Sequence, residues 1–379
     1  MARIYDVFDP AFHQDPFPVY RRLRDEFPVY RDEQYGFYAL SRFDDVFAAA
    51  TDAATFSSYA VESEALLPQL NFLDGTRHRE MRALVSRGFT PRRVAELESL
   101  VAKVVEDLLD GIEANGGGDL VTDLGAPLAS RVVGALIGIP EARLEEFRHW
   151  TEELTTLGQT GEIARLQEVA TAIYGLFGDL LAERRAQPTD DLMSALISAS
   201  IDGIQLTEEE ILGFCFLLVS GGNDTTMHLV ATGSVHLAEN ADVCARLVRE
   251  PERLPDAIEE MLRLDPPAQL HARTTTRDVE LRGVTIPADS RVMLLWGAAN
   301  RDEREFPEPD RFDIDRASTR HLGFGVGPHF CLGASLARLE ARAAFSELLQ
   351  RAPEFALVEP PTRLESPWAR GFVSVPIRL

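Results

Sequence analysis

The sequence predicts a mainly α fold that carries a few small β-sheets. Three observations point there. From Pro91 to Pro188 the pattern is almost entirely helix-like, broken only at Gly116 to Gly118, Pro140 and Gly158 to Gly161. Leu206 to Glu239 reads as one long helix, opened by Thr207 with Glu210 three residues on as a capping box. The segments whose alternation suits strands are short and scattered, as at Val279–Leu281 and Val284–Ile286.

In chain order, Asp15-Pro16-Phe17-Pro18 is a proline-broken loop that passes into a short amphipathic segment around Tyr20 to Leu23. Strand-like pieces at Val29–Arg31 and Phe37–Leu40 are joined by the turn formers Asp32 and Gly36. A helix is expected near Asp44–Ala50, and residues 56–75 read as a long loop, a feature that is usually functional inside a compact domain. Thr76 to Arg87 is helical and sets His78 and Arg82 four apart on one face, which taken alone is a solvated basic face.

The middle of the long helix contains Gly221-Gly222-Asn223-Asp224-Thr225-Thr226, directly after the apolar run Ile211–Val219. Two glycines inside a helix cost roughly 1 kcal/mol each relative to alanine. A carboxylate there needs a partner or a path to water. A local kink with Asp224 reaching solvent explains these residues equally well on their own. Asp256–Leu264 is a helix carrying Glu260 and Arg263, and Pro266-Pro267 ends it. From Leu332 the residues Leu336, Leu339, Ala343 and Phe345 recur at helical spacing up to Pro353. Phe355–Val358 and Phe372–Ile377 look like short strands.

Length and charge bound the function. A chain of 379 residues would by length alone hold two or three domains. A net charge of -23 excludes a nucleic-acid binder, since such a surface repels phosphate backbones. Three cysteines, Cys215, Cys244 and Cys331, are odd in number and far apart, which suits a reducing compartment and no disulfide framework. Charge breaks the N-terminal apolar run at once, so no signal peptide is expected. The run Ile211–Val219 is about half of a bilayer span. A soluble cytoplasmic protein that binds no membrane is the expectation.

The densest chemistry lies between His321 and Arg338. Gly325 and Gly327 permit backbone angles closed to other residues, and with Gly333 they let the main chain approach a flat partner around Cys331. The cysteine precedes a helix, whose unpaired N–H groups favour a thiolate. A lone cysteine is more often an inert, buried, apolar residue. The spacing Phe324-Gly325-x-Gly327-x-His329-x-Cys331-x-Gly333 reverses that reading. It resembles the haem-ligand signature of the cytochrome P450 family, the thiolate-haem monooxygenases, and all six specified positions are filled.

That resemblance runs from about Asp15 to the C-terminus, and it implies the cytochrome P450 fold over residues 1–379 as a single large helical domain. It implies heme b (iron protoporphyrin IX) as cofactor, with Cys331 as the axial iron ligand. His78, Arg82, Arg273, His321, Phe324 and Gly325 are then the further cofactor-binding residues. Gly221 to Thr226 resembles the family's oxygen-activation motif, which makes Asp224 and Thr225 the catalytic pair that relays protons. Glu260, Arg263 and Arg311 of Pro309-Asp310-Arg311-Phe312 would form a structural charge cluster. The loop at 56–75 would cover the substrate pocket, and lid helices would fall at about 141–187.

The implied reaction inserts one atom of O2 into a C–H bond of a small hydrophobic substrate. Leu218, Gly222, Ala268, Gln269, Leu270, Gly371 and Phe372 are its expected pocket residues, and small or apolar side chains predominate among them. No flavin motif or iron–sulfur cysteine cluster is present, so electrons are expected from a ferredoxin and an NAD(P)H-dependent ferredoxin reductase. A basic patch of Arg82, Arg87, Arg92, Arg93, Arg338 and Arg342 would receive an acidic ferredoxin. Peroxide-driven oxygenation, oxidative coupling and a non-catalytic haem sensor are the competing readings. The sensor has no use for the acid and alcohol at 224 and 225.

Overall fold

The computed structural model describes residues 4–60, 67–160, 163–316 and 320–379. Its organising element is the helix Glu208–Glu239, which packs against the helices Ala126–Ile137, Leu144–Thr160, Ile163–Ala186, Leu254–Leu264 and Ala334–Arg351. The capping box forms as the sequence predicts. The Thr207 hydroxyl accepts from Glu210 N at 3.2 Å, and the Glu210 carboxylate accepts from Thr207 N at 2.9 Å. Glu210 also receives Arg77, which ties this end to the helix Gly75–Val85. Further along, a Cβ at Gly233 would lie 2.4 Å from the Phe345 ring and 2.7 Å from the Met261 sulfur. A missing side chain there lets three helices meet.

Short strands flank this helical body. The five-stranded sheet runs, edge to edge, Val29–Asp32, Phe37–Leu40, Arg291–Leu295, Leu270–Thr275 and Phe56–Ser57. Only the pair Phe37–Leu40 with Arg291–Leu295 is parallel. Its two faces lean on separate apolar clusters, one around Phe43, Leu294 and Trp296, the other around Tyr5, Tyr20 and Leu295. Val279–Leu281 and Val284–Ile286 pair as the alternation predicts.

Some boundaries differ from the sequence reading. The break expected at Gly116 to Gly118 opens a strand, Gly117–Asp119, paired with Pro376–Arg378, and a Cβ at Gly117 would sit 2.3 Å from the Ile377 carbonyl oxygen. The glycines there answer to a strand from the far end of the chain, which local pattern cannot reveal. The helix after the cysteine begins at Ala334, not Leu332. Within the loop expected at 56–75, Phe56–Ser57 pairs into the sheet and Leu70–Phe72 is a 3₁₀ turn, while residues 61–66 lie outside the described residues. Leu120–Ile137 is long and apolar enough to cross a membrane, yet 72% of it is buried inside the fold, where it packs on Glu208–Glu239.

The expected charge cluster forms with one substitution of roles. Glu260 and Arg263 pair through two hydrogen bonds of 2.7 and 2.8 Å and are essentially inaccessible. The third side chain is Arg316, whose Nε meets Glu260 at 3.1 Å. Arg311 points outward to Glu308 and offers Arg263 only its carbonyl, at 3.3 Å. The chain direction through Pro309–Arg316 decides which arginine turns inward.

Candidate functional site

Gly325 and Gly327 adopt φ of 66° and 73°, left-handed values that a side chain resists. At Gly327 a Cβ would also press on Ala50 and Thr51 at 3.1 and 3.2 Å. Gly333 has an ordinary φ of -83°, and its place is explained by the sulfur, 4.0 Å from where its Cβ would lie. Cys331 N donates to the Phe324 carbonyl at 2.9 Å, Gly325 N to Leu322 O at 2.9 Å, and Leu322 N to the Asn300 side chain at 2.7 Å. These bonds fix the loop that presents the thiol.

Burial pushes the Cys331 thiol up, while the N–H groups of Gly333 and Ala334 and the charges of Arg82 and Arg338 pull it down. In the polypeptide alone burial prevails, contrary to the thiolate expected from the helix terminus. A cation at the sulfur would release the proton, because a metal binds the thiolate form. The donors around it then tune the bound sulfur.

Behind the loop, Glu259 gathers three groups. Arg338 donates to it through Nε and Nη2 at 2.6 and 2.7 Å, and His321 Nε2 lies 3.0 Å away. His321 Nδ1 accepts from Gly323 N at 3.0 Å, so both ring nitrogens are occupied within the protein. His321 thereby braces the loop. The Arg338 guanidinium lies 4.5 Å over the Phe324 ring, which is itself edge-on to Phe330 at 6.2 Å.

In a second group two arginines, Arg82 and Arg273, have no carboxylate partner among the described residues. Arg82 donates to Phe330 O at 2.5 Å, joining the helix Gly75–Val85 to the cysteine loop. His78 stacks on His329 with ring centroids 4.3 Å apart, and its buried Nε2 has no partner. Burial, with His329 and Arg82 nearby, pushes His78 down to about 4. His329 is held by Ser58 Oγ at 3.0 Å and Asp74 at 3.2 Å. The guanidinium of Arg273, buried on the strand Leu270–Thr275, donates to its neighbour Ala272 O at 2.8 Å. Among the described residues no carboxylate lies within ion-pair distance of it. A buried guanidinium and an orphan imidazole fit carboxylates brought from outside the chain, as the two side arms of a haem would be. His329 belongs to this group; its specified place in the cysteine signature was the signal that could have found it.

On the long helix, Thr225 Oγ1 donates to Gly221 O at 2.7 Å, and the backbone stays helical throughout. Gly221 is exposed, and a Cβ there would meet nothing within 4 Å. The hydroxyl proton is thus spent on the helix, and its oxygen lone pairs remain to accept a hydrogen bond from the open side. Asp224, half-buried, precedes it.

Two expectations change. Gln269 spends its amide on the fold: its Oε1 accepts from Tyr20 at 3.0 Å and its Nε2 donates to Pro266 O at 2.7 Å. The basic patch is largely neutralised, because Arg338 pairs with Glu259, Arg342 with Glu98, Arg92 with Glu96 and Arg93 with Asp190. Beside it lies a cleft of about 370 Å³ with an apolar floor of Val94, Pro255, Ile258 and Leu339 between those ion pairs. Surface arginines in an acidic protein find their own carboxylates, a pairing that a sequence count misses.

Comparison with known proteins adds independent findings. The family model described as Cytochrome P450 matches residues 163–376. Cytochrome P450 130 of Mycobacterium tuberculosis is 41% identical over 364 residues, covering 91% of this chain and 90% of that protein. The steroid C26-monooxygenase of the same organism is 35% identical over 361 residues, covering 93% and 90%. The structure of cytochrome P450 CYP109Q5 from Chondromyces apiculatus superposes with a TM-score of 0.93 at 33% identity, covering 99% of this chain and 98% of that one.

Proposed function

This chain belongs to the cytochrome P450 family and is a haem-thiolate monooxygenase, and we propose that it works through heme b held by Cys331 in one catalytic domain spanning residues 1–379. The observation that carries the site assignment is the cysteine loop: a thiol on a backbone held by the Cys331 N–H to Phe324 carbonyl bond, faced by N–H groups and two arginines. The haem, when bound, supplies the redox chemistry that divides dioxygen and delivers one atom to a C–H bond.

The chain's own residues bind, orient and move protons around it. Arg273, Arg82 and His78 hold the carboxylate arms, with His329 oriented by Asp74 and Ser58. Loss of their hydration is offset by those cations and donors. Phe324 and Gly325 shape the loop, and His321 braces it through Glu259. Thr225 accepts a hydrogen bond from a proton carrier on the open side of the long helix, and Asp224 is the acid that feeds it.

The substrate is a small hydrophobic molecule. Leu270 and Phe372 are apolar and buried, and a related protein is named for a steroid. The electrons come from a ferredoxin and its NAD(P)H-dependent reductase. They dock by the apolar cleft beside Arg338 rather than on free positive charge. Cytoplasmic residence suits three unpaired cysteines.

Cys331→His tests the assignment. The variant is expected to retain haem and to lose the red-shifted Soret band of the reduced carbon monoxide adduct. An unchanged spectrum rules Cys331 out as the ligand.

A further inference from the structure

Between the long helix and the paired strands Thr362–Arg363 and Phe372–Ser374 runs a seam of buried polar atoms without hydrogen-bond partners among the described residues. They are Nδ1 and Nε2 of His228, Oγ1 of Thr232, Nε2 of His236 and Nη1 of Arg363. Helix geometry explains the alignment. Residues 224, 228, 232 and 236 follow at one turn each, a rise of about 6 Å per step, and so form one stripe that starts at Asp224.

Contacts fix both ends. A Cβ at Gly371 would lie 2.2 Å from His228 Nδ1, so the imidazole sits directly under the loop that leads into Phe372–Ser374. At the far end His236 stacks on Phe312 at 5.4 Å and feels Asp265, Arg301, Arg363 and Arg370. Asp265 accepts from Arg370 Nε at 2.6 Å and stands 3.7 Å from Arg363 Nη1, beyond hydrogen-bond reach. The Arg363 guanidinium covers the Phe372 ring at 3.9 Å and its side chain is 20% exposed, so the seam meets bulk solvent at this end.

His228 is 1% exposed and Thr232 3%. An orphan polar atom left dry in such a place destabilises the fold. Native proteins keep only a few per hundred residues, and internal water, bonded to about three groups each, is how others are satisfied. Five gathered in a single seam point to water there. Burial also holds both imidazoles neutral down to about 4, which leaves each ring one donor and one acceptor.

We propose that this seam holds a file of ordered internal water leading from Asp265 and Arg363 to Asp224 and Thr225, and that His228 positions it as a second proton path to that pair. This inference rests on the monooxygenase reading of the pair. A neutral imidazole passes a proton by accepting on one nitrogen and donating from the other, so no buried charge persists.

The haem-loaded enzyme tests it in two stages. A high-resolution crystal or neutron structure is expected to show at least two ordered waters bonded among His228, Thr232, His236 and Arg363; a dry seam overturns the inference. His228→Phe should keep haem content and melting temperature, raise the solvent isotope effect on turnover, and lower the ratio of product to hydrogen peroxide by ~10-fold. His228→Gln, which keeps a donor and an acceptor, should restore that ratio to within about twofold. A His228→Phe enzyme with wild-type coupling and isotope effect overturns the inference, as does an equal loss in both variants. Thr232→Val provides the same comparison if the Phe variant fails to fold. Wild-type turnover with reductant and oxygen checks the monooxygenase reading separately, so the two failures are distinguishable.

Discussion

Arg273→Met should loosen the haem while leaving the empty polypeptide as stable as before. Among the described residues five other arginines are buried, and each has a carboxylate at 3.3 Å or closer: Arg24 with Glu303, Arg184 with Asp191, Arg263 with Glu260, Arg301 with Asp310 and Arg370 with Asp265. Arg273 is as buried, at 8% exposure, and burial lowers its pKa with only Asp74 to oppose it. Asp74 is already engaged by Ser57, Ser58 and His329. Without a haem carboxylate, the methionine variant gives up one hydrogen bond to Ala272 O, worth about 1 kcal/mol, and escapes the cost of burying a charge. With one, it leaves a buried carboxylate short of a partner, which costs about 2 to 5 kcal/mol. His78 and Arg82 share that load, so the low end applies. About 2 to 3 kcal/mol corresponds to a ~30- to 150-fold rise in the haem dissociation constant. Haem transfer to an acceptor apoprotein measures the second quantity, and urea unfolding of the haem-free chain measures the first. Unchanged haem loss, or an apoprotein destabilised by more than about 3 kcal/mol, would refute the reasoning.

The inward turn of Arg316 predicts that Arg316→Ala costs about 1 to 3 kcal/mol in urea unfolding, whereas Arg311→Ala, an exposed pair, costs under about 0.5 kcal/mol. Equal effects would return Arg311 to the cluster. Acid should weaken the fold in two stages. Burial pushes His228 down to about 4, so the unfolded chain takes up a proton below ~6.5 that the native state refuses, and stability falls as pH drops from there to about 4. Glu259, although burial opposes it, is held at about 2 by Arg338 and His321; its contribution is present above ~4.3 and is lost as pH falls through about 2. Unfolding curves at stepped pH for wild type and Glu259→Gln read the second stage, and a variant with the same acid slope as wild type would remove Glu259 from the account. Because the arginines near the cysteine loop are paired, reduction by a ferredoxin should slow less than about threefold between low salt and ~0.3 M. A steep fall in stopped-flow reduction rates would show that free charge steers the encounter.

Several features were legible because one stretch of chain contains the whole cause. The capping box at Thr207 and Glu210 and the left-handed glycines at 325 and 327 are both local features. Others were not. Gly117–Asp119 became a strand because Pro376–Arg378 lies against it, and Gln269 turned inward because Tyr20 and Pro266 offered it partners. His321 and His329 look alike in the sequence, yet Glu259 and Gly323 occupy the first, while the second, held by Asp74 and Ser58, lies against His78, whose Nε2 has no partner among the described residues.

By itself the sequence determined the helical class, the cysteine loop and the acid beside an alcohol in an apolar helix, since spacing within a few residues sets backbone angles and the chemistry that a short segment presents. Only the tertiary structure decided which arginines stay unpaired and which polar atoms are buried alone, since a charge is satisfied by whatever the fold brings to it. Residues 273, 316 and 228 acquire their roles from elements dozens to hundreds of positions away.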